Sequence, residues 1–553
     1  MLLPPLVDYA RDAAAYRRPA PPETFNYCDI IDGYAEDETR EALIWLNAAG
    51  DERRLTFAGI RDGSKRIAEV LGAQGVGRGD TVLIMLPRLP EWLMAMMAVF
   101  RLGAIAIPCI TMLTRKDLDY RIGVTEPKAI VTVPAEAAKF EGLLAEDTAR
   151  LIVPYGPGDA PGWEDLNALA EQAGLDVPTA RMRPDEGAIL YFTSGSTGQP
   201  KGVLHSAYFP RAYYEVAAYW FDLNAQSRDD TMWGTADTGW SFSATASFVG
   251  PWMAGVRTVL YDGSFDAAER LAIMARLGVT VFAASASEFR QMLAQDIEAY
   301  DLSRLRLTAT AGEALDAPTA QNWMRRAGCR IHEAYGQTEA LMVVANYPVT
   351  EIRPGAMGLP LPGLPIEVIS ETDLSPLPAG EVGHVAIKMP MEGMMLHYWK
   401  APDKTAEAFA DDAAGNTWYI TGDLARKDEA GYFWYEGRAD DVINTAGYRV
   451  GPAEVESAVM AHPAVKECAA VASPDAKRGE VVKAFIVLHR GYSAGPELAK
   501  NIQTFVKHET APYKYPRKIE FMPELPKTVT GKVQRKSLRD REAGAGGDGP
   551  VPA

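Results

Sequence analysis

Residues 190–202 read LYFTSGSTGQPKG, an apolar run that stops in a loop of Thr193, Ser194, Gly195, Ser196, Thr197 and Gly198, with Lys201 close behind. Glycines let backbone N–H groups close on phosphate oxygens, hydroxyls add donors, and a lysine supplies a point charge. The same composition would serve a flexible surface loop, and it is the ordered string TSGSTGxPKG that favours an anion cradle. A Walker A loop needs G-x-x-x-x-G-K-[ST]; Pro200 stands in the place of its second glycine, which disfavours kinases and motor ATPases built on that loop. Residues 333–339 read EAYGQTE. There the Tyr335 ring could stack on adenine, Thr338 could donate to an α-phosphate, and Glu339 could offer Mg²⁺ a hard oxygen. Alone, the string would equally make a loop with Thr338 as a helix N-cap. Residues 419–423 (YITGD) place Asp423 at a Gly turn, where a carboxylate could accept two ribose hydroxyls or satisfy its own backbone. Residues 526–532 (PKTVTGK) put Lys532 just past a glycine, and in isolation that is an ordinary surface lysine on a turn.

The elements that must carry these residues alternate between strand and helix. Apolar runs at 81–86, 104–107, 129–133, 258–261, 279–283 and 305–310 read as strands, and residues 90–102 read as a helix. Strands alternating with helical patterns give parallel sheets covered by helices. After about Gly355 the texture becomes β-like, at 366–369 and 384–389, among prolines and glycines. The charged stretch at 437–441 (GRADD) marks a boundary, followed by a helix at 452–461, strands at 467–472 and 481–488, and a helix at 496–508. The expected fold is therefore α/β. A large N-terminal domain (1–438) of parallel sheets covered by helices carries a β-rich subdomain. A small α+β domain follows at 439–542, and a Gly/Pro/Ala-rich tail at 543–553 reads as disordered.

A chain of 553 residues with 47% hydrophobic and 23% charged residues has room for three or four folding units of ~150 residues each. Its formal net charge of −17 argues against a nucleic-acid surface, although a local basic pocket for phosphate stays possible. The four cysteines form no C-x-x-C pair, so neither a disulfide framework nor a thiolate metal site is indicated, and a reducing cytoplasm fits best. The longest apolar run, at 92–100, ends at Arg101 and falls short of the ~18 residues that a membrane span requires. The first ten residues lack a basic segment and do not read as a signal peptide. Residues 491–495 (GYSAG) satisfy G-x-S-x-G, but only His508 follows Ser493, late in the next helix, which leaves no ordered acid and histidine for an esterase.

TSGSTGQPKG resembles the phosphate loop of the adenylate-forming superfamily, which includes acyl-CoA synthetases, luciferases and peptide-synthetase adenylation domains. The likeness runs from about Phe25 to Arg541 and is nearest the medium-chain acyl-CoA synthetase type. ADTGW at 236–240 is suggestive, whereas GYRVGPAEVES at 447–457 and APYKYPRKIEF at 511–521 are diagnostic. The resemblance implies an ATP-binding set. The phosphate loop and Lys201 hold phosphates. Gly312, Glu313 and Ala314 lie against adenine, Tyr335 stacks on it, and Glu333, Ala334 and Gly336 belong to the same ATP-binding set. Asp423 takes the ribose hydroxyls, and Arg438 completes the ribose and phosphate contacts. Thr338, Glu339 and Lys532 are then catalytic, with Glu339 also the Mg²⁺ ligand, and Lys532 is identified by its match to PKTxxGK. Asp440 would be the hinge of a mobile C-terminal domain. Ala446, Gly447, Tyr448 and Arg449 would flank a coenzyme A tunnel, with Arg478 a further basic candidate; either arginine could equally be a solvated ion-pair partner.

The implied reaction joins ATP and a small-molecule carboxylic acid into an acyl-adenylate, then passes the acyl group to coenzyme A. Acetate-specific relatives carry a tryptophan where this chain has Gly336, so the resemblance implies a larger acid: medium-chain, branched or aromatic. Trp240 would line that pocket or its gate, or simply serve in the core. The alternatives are an adenylation enzyme loading a carrier protein, a luciferase-like oxygenase, and a non-catalytic nucleotide binder, which would be expected to lack Lys532 or Glu339. Lys532 is also a candidate for reversible acylation by a lysine acyltransferase and deacylase, which would remove its charge.

Overall fold

Short apolar runs between glycine turns have no polar face to show water, and such runs fold as strands covered on both sides. In the computed structural model the strands Thr81–Ile84, Ile105–Pro108 and Ala129–Thr132 are buried at every position. The structure describes residues 2–193, 200–224, 226–441, 443–445, 448–475, 479–509, 514–527 and 533–544. The chain divides into two compact units, one of residues 1–364 with 390–407 and one of residues 365–389 with 408–553.

The first unit holds an eight-stranded sheet with the order His397–Tyr398, Lys201–Ser206, Gly187–Thr193, Ile105–Pro108, Thr81–Ile84, Ala129–Thr132, Ala149–Ile152, Glu164–Asp165. Its middle pairs are parallel, and the Gly187–Thr193, Lys201–Ser206 and His397–Tyr398 pairs are antiparallel. The helix Pro90–Leu102 connects two of the parallel strands. Pro90 opens it, where no amide donor is needed, and Gly103 closes it in the left-handed region at φ 71°. All its residues from Pro90 to Arg101 are buried; Arg101 is ion-paired to Asp32 at 2.8 Å and bonded to Thr179 at 2.7 Å. A second sheet of the same unit has parallel pairs among Glu41–Asn47, Arg257–Asp262, Thr231–Gly234, Val281–Ala283, Leu307–Ala311 and Ile331–Gln337. It turns antiparallel at Leu341–Ala345 and Ala356–Pro360. Trp233, Phe282, Phe289 and Trp323 fill the core on one of its faces.

In the second unit the β-rich portion is an antiparallel set of Ile366–Ile369, Val382–Lys388, Thr417–Lys427 and Phe433–Arg438, with Phe409–Asp411 paired to Thr417–Lys427. Beyond it a five-stranded sheet, built around the long hairpin Val465–Asp475 and Gly479–Leu488, packs with the helices Pro452–Met460 and Pro496–Glu509 around Val455, Val459, Ile486, Ile502 and Val506. The mixed α/β architecture expected from the alternating pattern is present. All four cysteines are buried and free. Among the described residues no helix is long and apolar enough to cross a membrane.

Candidate functional site

The strands Gly187–Thr193 and Lys201–Ser206 form a hairpin in which Thr193 pairs with Lys201. The phosphate-loop string therefore caps a hairpin whose two ends are fixed by the sheet; Ser194, Gly195, Ser196, Thr197 and Gly198 themselves lie outside the described residues. Gly202 is required by packing. A Cβ built there would stand 3.0 Å from Trp399 Cβ and 3.2 Å from Leu190 Cδ1. Its absence lets the edge strand His397–Tyr398 close, pairing Tyr398 with Val203. As a result, Lys201 Nζ sits 4.6 Å from the centroid of the Tyr398 ring.

Thr338 and Glu339 occupy the turn between Ile331–Gln337 and Leu341–Ala345, where Gln337 pairs with Leu341. Leu341 takes a left-handed conformation at φ 55°, a strained state for leucine of the kind that collects at functional turns. The turn is held from several directions. The Thr338 hydroxyl lies 3.3 Å from Ser241 Oγ, and its carbonyl accepts from His205 Nε2 at 2.7 Å. The carbonyl of Glu339 accepts from the Met395 amide at 2.8 Å, and its carboxylate accepts from the Tyr398 hydroxyl at 2.9 Å. A carbonyl can only accept, so His205 carries its proton on Nε2. Burial lowers the His205 pKa to about 4, against the opposing pull of its bond to Thr338, and keeps the ring neutral.

Around the expected adenine position, Glu313 accepts from the Ser287 amide at 2.5 Å and from its hydroxyl at 3.0 Å. Gly312 adopts φ 89° with open space where a Cβ would stand. Ala314 continues that turn. Ala334 is buried in its strand, Tyr335 is half-buried, and Glu333 accepts from the Leu315 amide at 3.2 Å. Burial pushes Glu333 up to about 7. Gly336 has a backbone role. A Cβ there would meet Leu341 O at 2.1 Å and Met342 Cα at 2.6 Å, so the hairpin itself takes up the missing side chain. Trp240 is half-buried against the apolar cluster of Cys109, Ile110 and Phe192. Directly after it the helix widens into a π-helical turn at Ala244–Phe248. Pro251 has no N–H for the Ser247 carbonyl, and a Cβ on Gly250 would strike Thr245 O at 2.3 Å, so the sequence accounts for the widening.

The second unit carries the other part of the set. Asp423 pairs across its strands with Arg438, and Arg438 Nη1 lies 3.4 Å from Asp423 Oδ1. The Tyr435 hydroxyl donates to that oxygen at 3.3 Å, and Thr421 Oγ1 accepts from the Asp423 amide at 3.1 Å. Asp440 lies in the single turn Ala439–Asp441. Tyr448 and Arg449 lie on the strand Tyr448–Val450, opposite Thr445 and Asn444. Ala446, Gly447, Arg478 and Lys532 lie outside the described residues. The residues on either side of 528–532 are described: Lys527 bridges to Val533, and the Gln534 amide donates to Pro526 O at 2.8 Å. Arg535, next along, forks onto Glu456 at 2.7 Å. Among the described residues no three His, Cys, Asp or Glu side chains gather as a metal site. The Glu339 carboxylate, which accepts from the Tyr398 hydroxyl, suits a cation that arrives with phosphate and keeps most of its waters.

Tyr398, His205, Ser241 and Tyr435 were not among the residues that the sequence singled out. Each acts on a motif residue through the fold; only His205, four positions after Lys201, and Ser241, directly after ADTGW, lie close enough to a motif to have been noticed.

A parallel α/β core, a hairpin whose strands flank the Ser/Gly string and carry Lys201, and a Thr–Glu turn held by hydroxyls describe a nucleotide-activating enzyme. The AMP-binding enzyme family matches residues 34–399, and the AMP-binding enzyme C-terminal domain matches residues 454–532; the chain belongs to this family. It is 38% identical over 543 residues to the mouse (Mus musculus) mitochondrial acyl-coenzyme A synthetase ACSM3, covering 94% of this chain and 91% of that one. It is 36% identical to the uncharacterized acyl–CoA ligase YtcI of Bacillus subtilis, covering 94% and 97%. Among solved structures, the anthranilate CoA ligase AuaEII in complex with anthranoyl-AMP superposes with a TM-score of 0.85 at 29% identity, covering 95% of this chain and 98% of that one. The Brucella canis acyl-CoA synthetase does so at 0.74 and 33%, covering 98% and 100%.

Proposed function

We propose that this protein is an ATP-dependent acyl-CoA synthetase that forms an acyl-adenylate and then a thioester. The observation that carries the reading is the Thr338–Glu339 turn, braced by Ser241, His205 and Tyr398, with Lys201 of the phosphate-loop hairpin over the same Tyr398 ring. In the first step a carboxylate oxygen of the acid attacks the α-phosphorus of ATP. The bond from that phosphorus to the bridging oxygen breaks, and pyrophosphate leaves with the electron pair. Thr338 donates to the α-phosphate, Lys201 and the hairpin tip take the outer phosphates, and Lys532 neutralises charge on the oxygens around the reacting centre. One well-placed donor of that kind contributes roughly 3–4 kcal/mol to lowering a barrier. Glu339 would hold Mg²⁺, which supplies charge neutralisation on the phosphates when bound. Glu333, Ala334, Tyr335 and the turn at Gly312, Glu313 and Ala314 take adenine; Asp423, steadied by Tyr435, takes the ribose with Arg438.

In the second step the thiol sulfur of coenzyme A attacks the acyl carbon, the acyl–oxygen bond to AMP breaks, and the thiol proton passes to solvent. Lys532 must have withdrawn by then. We assign the movement to the domain from residue 439 to 542 turning about Asp440, which brings Ala446, Gly447, Tyr448 and Arg449 to the thiol arm, with Arg478 toward the nucleotide of coenzyme A. The relatives named as CoA ligases favour coenzyme A over a carrier protein as acceptor. For the acid we propose a medium-chain, branched or aromatic chain, with Trp240 at its pocket. The anthranilate CoA ligase with its anthranoyl-AMP supports the aromatic part of that reading. The backbone role of Gly336 means that this glycine reports on the hairpin before it reports on acid size. We place the reaction in the cytoplasm, which four free buried thiols suit.

The test is direct: purified protein with Mg²⁺, ATP, coenzyme A and a panel of acids from acetate to benzoate and dodecanoate. Pyrophosphate, AMP and acyl-CoA should form in equal amounts with acids larger than acetate. Acid-dependent pyrophosphate without thioester would favour the carrier-protein reading instead. Acylation of Lys532 by a lysine acyltransferase would remove the charge needed in the first step, and full activity of a Lys532-acetylated preparation would rule that regulation out.

A further inference from the structure

Tyr398 touches both charged side chains on which the phosphate chemistry turns, and it does so with different parts of one ring. The ring face lies 4.6 Å from Lys201 Nζ, and the hydroxyl donates to Glu339 Oε1 at 2.9 Å. The side chain is only 5% exposed, so both contacts are made away from bulk water. The placement is set by backbone. Tyr398 pairs with Val203, two residues from Lys201 on the same strand; Trp399 N donates to Gly202 O at 2.7 Å, and Met395 N donates to Glu339 O at 2.8 Å. The short segment 395–399 is therefore bonded to the phosphate-loop hairpin at one end and to the Thr338–Glu339 turn at the other.

We propose that Tyr398 is a positioning residue that holds Lys201 and Glu339 apart, each aimed at its own share of the magnesium nucleotide. A lysine and a glutamate facing the same phosphates would otherwise neutralise one another as a direct ion pair, and that pair would have to break before nucleotide could bind. An aromatic ring that contacts each of them satisfies both without joining them. Its π face attracts the ammonium, and its phenol donates to the carboxylate. Donation toward an anion also leaves the phenol oxygen and ring richer in electron density, so the two contacts reinforce one another. The phenol occupies one oxygen of Glu339 and orients the group. Hydrogen bonds to a ligating carboxylate are worth 10–100-fold in metal affinity where they have been removed. This inference rests on the proposed roles of Lys201 and Glu339.

The variant Tyr398→Phe keeps the ring and removes only the donor. Calorimetric titration with ATP, once with excess Mg²⁺ and once with EDTA, separates the two contacts. Tyr398→Phe should weaken binding of Mg·ATP about tenfold and leave metal-free ATP within about twofold of wild type. Tyr398→Leu, which also removes the platform for Lys201, should weaken both. In acyl-AMP formation the Tyr398→Phe effect should fall mainly on KM for Mg·ATP. The proposal is overturned if Tyr398→Phe binds Mg·ATP as wild type does, or if it loses Mg·ATP and metal-free ATP to the same degree, which is what a merely structural role would give. Glu339→Gln serves as the control: a Glu339→Gln protein whose ATP binding still responds fully to Mg²⁺ would remove the metal role of Glu339, whatever Tyr398→Phe does.

Discussion

At the scale of single residues, side chains outside the recognisable strings do much to prepare the site. His205 is a buried neutral imidazole whose one usable proton is committed to the carbonyl of Thr338, 133 residues away in sequence. The Tyr398 hydroxyl reaches Glu339 across 59 residues. Neither pairing has a local signature, because spacing along the chain reports only on neighbours within one element. Thr338, Glu339 and Asp423 stood out through the short strings EAYGQTE and YITGD, read together with the phosphate loop and the family resemblance. Glu333 allows a test at this scale. Burial raises its pKa from an ordinary 4.5 to about 7, so the folded protein holds a proton there that the unfolded chain has lost. The sign follows: the contribution to stability is fully present below about 4.5 and is lost as pH rises through 7. Wild type should therefore lose stability relative to Glu333→Gln between pH 5 and pH 8, by roughly 2 kcal/mol, in urea denaturation at the two pH values. If the carboxylate accepts the adenine amino group, ATP binding by wild type should also tighten over that interval while that of Glu333→Gln stays flat. Parallel pH profiles for both proteins would contradict the placement of Glu333.

At the scale of elements, the parallel strands and their helices were legible because their patterns are local and strong. The helix read at residues 90–102 forms as Pro90–Leu102, with proline at its start and glycine just past its end. The strand read at 366–369 forms as Ile366–Ile369. Less legible was the reason for individual glycines. Gly336 invited comparison with relatives that carry a tryptophan at that position, which makes it a gap in an acyl pocket. In the folded hairpin its α-carbon lies against the backbone of Leu341 and Met342, beside a leucine at positive φ. A side chain at this point must push the Thr338–Glu339 turn before it can touch an acid. Gly336→Ala is thus expected to destabilise the protein by about 1–3 kcal/mol, the usual range for overpacking, and to weaken Mg·ATP binding. Its preference among acids should be unchanged. Unaltered stability and nucleotide binding with a shift toward shorter acids would return Gly336 to the pocket. The π-helical turn at Ala244–Phe248 is a second case: Gly250 and Pro251 dictate it, but only once the surrounding helix is known.

At the scale of the whole molecule, the Thr338–Glu339 turn and the phosphate-loop hairpin belong to the first unit, and Asp423, Arg438 and the residues flanking 528–532 belong to the second. Those flanking residues are firmly held. Arg535 is forked onto Glu456, which also accepts from the Ala470 amide at 2.8 Å, and Lys527 is ion-paired with Glu467 at 2.7 Å. The proposed two-step reaction needs Lys532, which lies outside the described residues, at the nucleotide in the first step only. Gly447→Leu would crowd the thiol path and should slow thioester formation from supplied acyl-AMP while leaving pyrophosphate release intact. The measurement that bears most directly on this division is the converse one. Lys532→Ala should lower the rate of acid-dependent pyrophosphate release by about 10²–10³-fold, while acyl-AMP supplied with coenzyme A still yields acyl-CoA at close to the wild-type rate. Equal loss of both half-reactions, or undiminished pyrophosphate release, would contradict it.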